Sequence, residues 1–160
     1  SVASRGLGDV YKRQTLKCAN IPDKNLDKSV IVCLDYNGHS RSEGGTVNNG
    51  FITAKTRNFG RFKVASDLTA PIIKPINIIN GKNMSTASAI VFKISDNLSG
   101  IKSYRATVDD KWVLSEFDAK SSTLKYTFNT SEVTKGNHHF KLIVSDYVGN
   151  ESKFEADFLR

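Results

Sequence analysis

The sequence predicts an all-β protein, on three observations. Apolar and β-branched residues come in short runs that alternate with polar ones, no stretch sustains a helical period, and Gly, Asn, Asp and Ser clusters interrupt the runs about every 8–15 residues. In chain order the first strands are expected at residues 16–19, 30–36, 50–55 and 60–66. A second set is expected at 72–79, 89–95, 101–108, 111–114, 124–129, 138–145 and 153–159. Between them stand turn sequences such as Asn37-Gly38, Asn80-Gly81, Ser99-Gly100 and Gly149-Asn150, where Gly and Asn accept the positive φ of tight turns.

The two sets meet near Asp67 to Pro71. Pro71 fixes its own φ and biases its predecessor toward extended geometry, which suits a module junction and an edge strand. From residue 70 to 160 the length is close to the roughly 100 residues of an immunoglobulin-like antiparallel β-sandwich. Its alternation assigns one inward face: Ile90, Phe92 and Ile94; Tyr104, Ala106 and Val108; Leu124, Tyr126 and Phe128; Phe140, Leu142 and Val144; Phe154, Ala156 and Phe158. Residues 15–68 offer about four strands, too few for a full sandwich, and are expected to be a partial β-sandwich module whose first strands lie upstream.

Ser4 to Gln14, SRGLGDVYKRQ, resembles the one-frame translation of a transposase-library sequencing adaptor. Residues 1–14 are accordingly expected to be a non-native, disordered tail, with Thr15 a cut edge and any export signal or upstream domain lost from view.

The chain has 160 residues, 39% of them hydrophobic, and two cysteines, which argues against disorder and against a cysteine-stapled miniprotein. No apolar run approaches the roughly 20 residues of a membrane-spanning helix. The formal charge of +7 includes +2 from residues 1–14; residues 15–70 carry 8 basic and 5 acidic side chains and residues 71–160 carry 12 and 10. So even a distribution excludes a concentrated nucleic-acid footprint, although Arg57, Arg61 and Lys63 flank Phe59 and Phe62.

Catalytic chemistry needs a nucleophile with a base, paired carboxylates or a ligand cluster. The three histidines supply none: His39 sits in a turn, and His138 and His139 are neighbours on one strand, pointing to opposite faces. Asp109-Asp110 reads as the polar tip of a hairpin. The loops starting at Asp96 and Asp146 are alike, each following an apolar strand that ends in Ser-Asp. Their carboxylates can accept backbone N–H bonds in Asx-turns closed by Gly100 and Gly149, or Asp96, Asn97, Asp146 and Asn150 can offer oxygens to calcium. Cys18 and Cys33 fall on strands expected to be adjacent and are either small buried thiols or a disulfide. Trp112, Tyr104 and Phe117 are either core aromatics or an exposed stacking platform for sugar rings.

From residue 50 onward the chain resembles the C-terminal noncatalytic region of lysostaphin-like (LytM-type) zinc endopeptidases of Gram-negative bacteria. The resemblance rests on Asn58-Phe59-Gly60, Ala70-Pro71, Asp96-Asn97-Leu98-Ser99-Gly100-Ile101, Tyr104-Arg105, Lys111-Trp112-Val113-Leu114, Lys135-Gly136 and Ser145-Asp146 with Val148-Gly149-Asn150. Those enzymes hold zinc through His-x-x-x-Asp and His-x-His motifs in an N-terminal catalytic domain and cleave peptidoglycan cross-links. Neither motif occurs here, and His138-His139 does not fit His-x-His. The resemblance therefore implies a noncatalytic accessory region of an exported cell-envelope metallopeptidase, with no cofactor of its own. Zinc would belong to the catalytic domain, which is one implied partner; peptidoglycan is the other. The competing expectation is a free-standing surface or adhesion module recognising glycan or protein.

Overall fold

In the computed structural model, which describes residues 11–129, 131 and 133–160, the chain divides into two compact units, with the division between Leu68 and Thr69. Each is built from strands, and no helix among the described residues is long and apolar enough to cross a membrane.

The first unit holds β1 (Lys12–Lys17), β2 (Ser29–Leu34), β3 (Ser40–Gly44), β4 (Thr46–Asn48), β5 (Phe51–Thr56) and β6 (Arg61–Ser66). They form two antiparallel three-stranded sheets, ordered β1-β5-β4 and β3-β2-β6. Ile31, Ile52, Ala54 and Cys18 are the buried centre, with Leu16, Ile21, Leu26, Val47, Phe62 and Val64 packed around it. Six strands stand where the apolar pattern suggested four. The two additional strands, β3 and β4, one in each sheet, are polar because their places rest on main-chain pairing and neither contributes a fully buried side chain.

Strand β1 corrects the expected tail. Lys12, Arg13 and Gln14 pair with Thr56, Lys55 and Ala54 of β5, so the extended chain begins inside the segment that resembles adaptor. A sheet edge presents a row of N–H and C=O groups that accepts any extended segment, whatever its side chains. Residues 1–10, which carry the rest of that resemblance, lie outside the described residues.

The second unit holds β7 (Ile72–Pro75), β8 (Lys82–Asn83), β9 (Ala89–Ser95), β10 (Ile101–Val108), β11 (Lys111–Val113), β12 (Glu116–Asp118), β13 (Thr123–Thr127), β14 (Asn137–Asp146) and β15 (Glu151–Leu159). One sheet runs β12-β13-β9-β7 and the other β11-β10-β14-β15-β8. With the short strands β8 and β11 left out of the count, this is the strand order of an immunoglobulin-like sandwich: the first, second, fifth and fourth strands (β7, β9, β13 and β12) in one sheet, with the third, sixth and seventh (β10, β14 and β15) in the other. The fold class is thus the one expected.

Every strand set that alternation turned inward lines the core. Phe92 stacks on Phe140 at 5.5 Å between centroids and meets Phe154 edge-on at 5.1 Å, while Tyr126 continues the stack to Phe140 at 6.3 Å. Sheet edges are managed locally. The strand expected over 72–79 ends at Pro75, and Asn77 continues its pairing with a side chain: Nδ2 donates to Ala89 O at 2.8 Å and Oδ1 accepts from Val91 N at 2.9 Å. The chain then crosses to the other sheet, where Gly81 N and Met84 N donate to Asp157 O and Leu159 O, covering the β15 edge with the parallel strand β8.

The two units differ in core size. Among the described residues, sixteen buried ones form the core cluster of the second unit and four that of the first, and each fully buried aliphatic or aromatic side chain stabilises by about 1.5–3 kcal/mol. Limited proteolysis of the whole chain is therefore expected to cut residues 15–68 first and leave a resistant fragment from about residue 70. Equal resistance of the two parts would show that core size does not set their relative stability.

Candidate functional site

One end of the second unit carries the paired aspartate loops. Asp96 Oδ2 accepts from Leu98 N at 3.1 Å and Gly100 N at 2.7 Å; Asp146 Oδ1 accepts from Val148 N at 3.0 Å and Asn150 N at 2.8 Å. Both loops thus satisfy the N–H groups two and four residues on, and Gly100 (φ 88°) and Gly149 (φ 79°) hold the left-handed positions that bring those groups round. Asp35 in the first unit repeats the device with Asn37 N and His39 N, at 2.8 and 2.9 Å. Those N–H bonds, that of His39 foremost, hold the exposed Asp35 carboxyl below the usual carboxylate range.

Of the four residues named for calcium, the structure brings two together: carboxylate oxygens of Asp96 and Asp146 lie within 4.8 Å. Asn97 is exposed, and the Asn150 amide donates to Asp146 Oδ2 at 2.7 Å. Turn formation occupies three of the four oxygens on Asp96 and Asp146, while Asp96 Oδ1 is buried without a hydrogen-bond partner.

The aromatic candidates separate. Register decides this: Trp112 pairs with Thr107, whereas Val113 pairs with Ala106, whose side chain is in the core with Val108. Trp112 therefore lies on the outer face, in a row with Thr107, Lys141 and Glu155, the last two ion-paired at 3.3 Å. It is 58% exposed, and Leu114, two residues on, is 66% exposed. Tyr104 points the other way and meets Phe117 of the opposite sheet edge-on at 5.9 Å, both packed against the core. Trp112 thus falls to the surface rather than the core, and Tyr104 with Phe117 closes the sandwich behind it.

The histidines are each joined to an aspartate. His138 is on the inward face of β14, its side chain 9% exposed, with Nδ1 2.7 Å from Asp109 Oδ2 and Nε2 2.8 Å from the Thr134 carbonyl. Burial alone would lower its basicity, but these two acceptors outweigh it and hold the ring above the usual histidine value. Asp109 is likewise opposed by burial, yet the His138 ring and the His139 N–H, 2.8 Å from Oδ1, hold it below its usual value. His139 faces outward, where Asp157 Oδ1 at 2.7 Å raises it. Opposite directions for the two rings were legible from their adjacency. The link to Asp109 was not, because it spans 29 residues; the cue was that His138 sits two positions before Phe140 and shares its inward phase.

Neither cysteine is in a disulfide. Cys33 lies on β2 and Cys18 just beyond β1, so they belong to different sheets rather than adjacent strands. Burial first, then Glu43 and Asp35, pushes the Cys33 thiol up, away from reactivity. The zinc implied by the resemblance does not fit this chain either: its histidines pair with Asp35, Asp109 and Asp157, and none has a second histidine at ligand spacing.

Comparison with known proteins gives a match to the Zu5-like domain family over residues 11–67. No curated protein matches the chain. Among solved structures, the endo-β-1,4-mannanase from Thermotoga petrophila is similar over 58% of this chain and 20% of that one, at 13% identity and a TM-score of 0.48. The fibronectin(III)-like modules of CbhA from Clostridium thermocellum are similar over 87% of this chain and 80% of theirs, at 14% identity and a TM-score of 0.42. The chain therefore spans about a fifth of the mannanase chain.

Proposed function

We propose that this chain is a noncatalytic accessory region of an exported cell-envelope protein, and that its second unit holds a glycan, peptidoglycan foremost, through the outer face of β11 and β10. The observation that carries this is Trp112, an exposed indole on an edge strand, beside Leu114 and in line with Thr107 and Lys141. An aromatic ring left in water forgoes its burial energy, and a flat apolar ring with polar neighbours suits the apolar face and hydroxyl rim of a sugar. The resemblance to the tail of LytM-type peptidases supports the parent class: a zinc endopeptidase whose catalytic residues lie in another domain, with this region positioning it on the wall.

The test is co-sedimentation of the full chain with purified peptidoglycan sacculi. Binding is expected to weaken about tenfold or more in Trp112→Ala, with the melting temperature unchanged, since the ring contributes little to the core. Binding by the variant equal to that of the unsubstituted chain would remove Trp112 from the interface, and absence of binding by both would remove the glycan.

A further inference from the structure

We propose that protonation of His138 is a pH-sensitive latch on the β10–β11 hairpin, setting the position of the strand that presents Trp112. The hairpin turns in two residues, Asp109 (φ 51°) and Asp110 (φ 62°), both left-handed, a region aspartate enters more readily than most residues but less readily than glycine, so hydrogen bonds to the turn help hold it. That support comes from β14. Asp109 Oδ1 accepts the His139 N–H, Asp109 N donates to His139 O at 2.9 Å, and Asp109 Oδ2 accepts from the His138 ring.

Both nitrogens of that ring face acceptors, a carboxylate on one side and the Thr134 carbonyl on the other. Only the imidazolium can donate to both. A neutral ring has one N–H, so deprotonation leaves a lone pair against either Asp109 or Thr134; the ring itself is 9% exposed, while the Asp109 carboxylate is half exposed. The remaining surroundings are accounted for among the described residues. Phe158 of β15 lies against the ring at 5.5 Å, and Asp157, Glu155 and Asp110 act on the outward His139. Lys135 and Arg160 line the neighbouring hollow with Thr134, Ser85 and Val133.

The His138 ring is raised, so its contribution is complete below the ordinary histidine value of about 6.5 and is lost as pH rises through the higher folded value. Asp109 is lowered, so its contribution is present above its ordinary value of about 3.9 and is lost as pH falls through the lower folded value. The latch is closed between these limits and opens on the alkaline side. Trp112 is three residues from Asp109 and is the chain's single tryptophan, so its emission reports the hairpin directly.

The experiment is a fluorescence titration of the full chain from pH 5 to 9. Emission is expected to change with a midpoint above about 6.5. That change should vanish in His138→Gln, move to lower pH in Asp109→Asn, and persist in His139→Gln. A flat profile, or a midpoint retained in both His138→Gln and Asp109→Asn, overturns the latch; Asp109→Asn preserves the ring and so remains informative if His138→Gln fails to fold. The consequence for ligand rests on the glycan reading above, and sedimentation with sacculi at pH 6 and pH 8.5 separates the two. A titrating indole with no sacculus binding at either pH keeps the latch and overturns that reading.

Discussion

Phe92→Ala is expected to destabilise the second unit by about 3–5 kcal/mol, the range for deleting a buried phenyl ring. Phe92 is 1% exposed at the centre of β9, and its ring is the joint between the sheets: stacked on Phe140 of β14 and edge-on to Phe154 of β15. Truncation forfeits the transfer free energy of the ring and both aromatic contacts. It also leaves a void, because Phe140 is pinned by its own strand register with Ala156 and Val108. For a unit of this size the loss corresponds to a fall in Tm of more than about 12 °C. Differential scanning calorimetry of the whole chain, with the first unit's transition as internal reference, checks it. A shift below about 1 kcal/mol would mean that the sandwich collapses onto the gap and that its core is not the jigsaw the ring geometry describes.

The second large effect is expected at Gly60→Ala, and it should strike the first unit. A Cβ built on Gly60 would stand 2.2 Å from the Leu34 carbonyl oxygen and 3.0 Å from Cys33 Sγ. The first obstacle is main chain and cannot rotate away. Strand β6 begins at the next residue, Arg61, which pairs with Leu34, so relief requires prising β6 from β2 at the point where their ladder starts. Overpacking of this kind costs about 1–3 kcal/mol and sometimes more, a large fraction of what so small a core supplies. Gly38→Ala is the control: its φ of 82° carries a backbone penalty of about 1–2 kcal/mol, but nothing lies within 4 Å of the added methyl. Urea unfolding should show Gly60→Ala losing the first transition while the second is unmoved. The reverse ranking of the two alanine variants would show that backbone conformation, rather than space, governs this unit.

The larger sandwich was legible in the sequence because its inner strands bury one face, and burial writes a two-residue period into the chain. Ile90 to Ile94 and Phe140 to Val144 could be placed inward before any pairing was known. What escaped were elements held by main chain alone. Lys82–Asn83 is a strand because β15 has an edge to cover, and Ser40–Gly44 because β2 does; neither buries enough to leave a pattern. Trp112 shows the complementary difficulty. Its residue type favours the core, and only the turn length overrules it: a two-residue turn at Asp109 and Asp110 pairs Val108 with Lys111, which forces Trp112 out of phase with Ala106 and Val108. The His138 to Asp109 link required both the hairpin register and the β14 phase, so no local pattern could announce it.

Strand β1 has a consequence for the identity of the folded state itself. Its inward positions are Lys12, Gln14 and Leu16, opposite Thr56, Ala54 and Ile52, and only Leu16 is apolar. Register in a sheet is fixed by the energy lost when buried side chains are displaced, and a two-residue slip of β1 along β5 would move only Leu16 and, just beyond the strand, Cys18, while keeping most of the main-chain ladder. The outer anchors, Lys12 over Phe59 and Arg57 over Tyr11, are exposed cation–π contacts, each weak in water. The strand is therefore docked at its start and encoded only at its end. Its register is read by Leu16 and by Cys18 just beyond it, which is buried in the core with its N–H on Gly50 O.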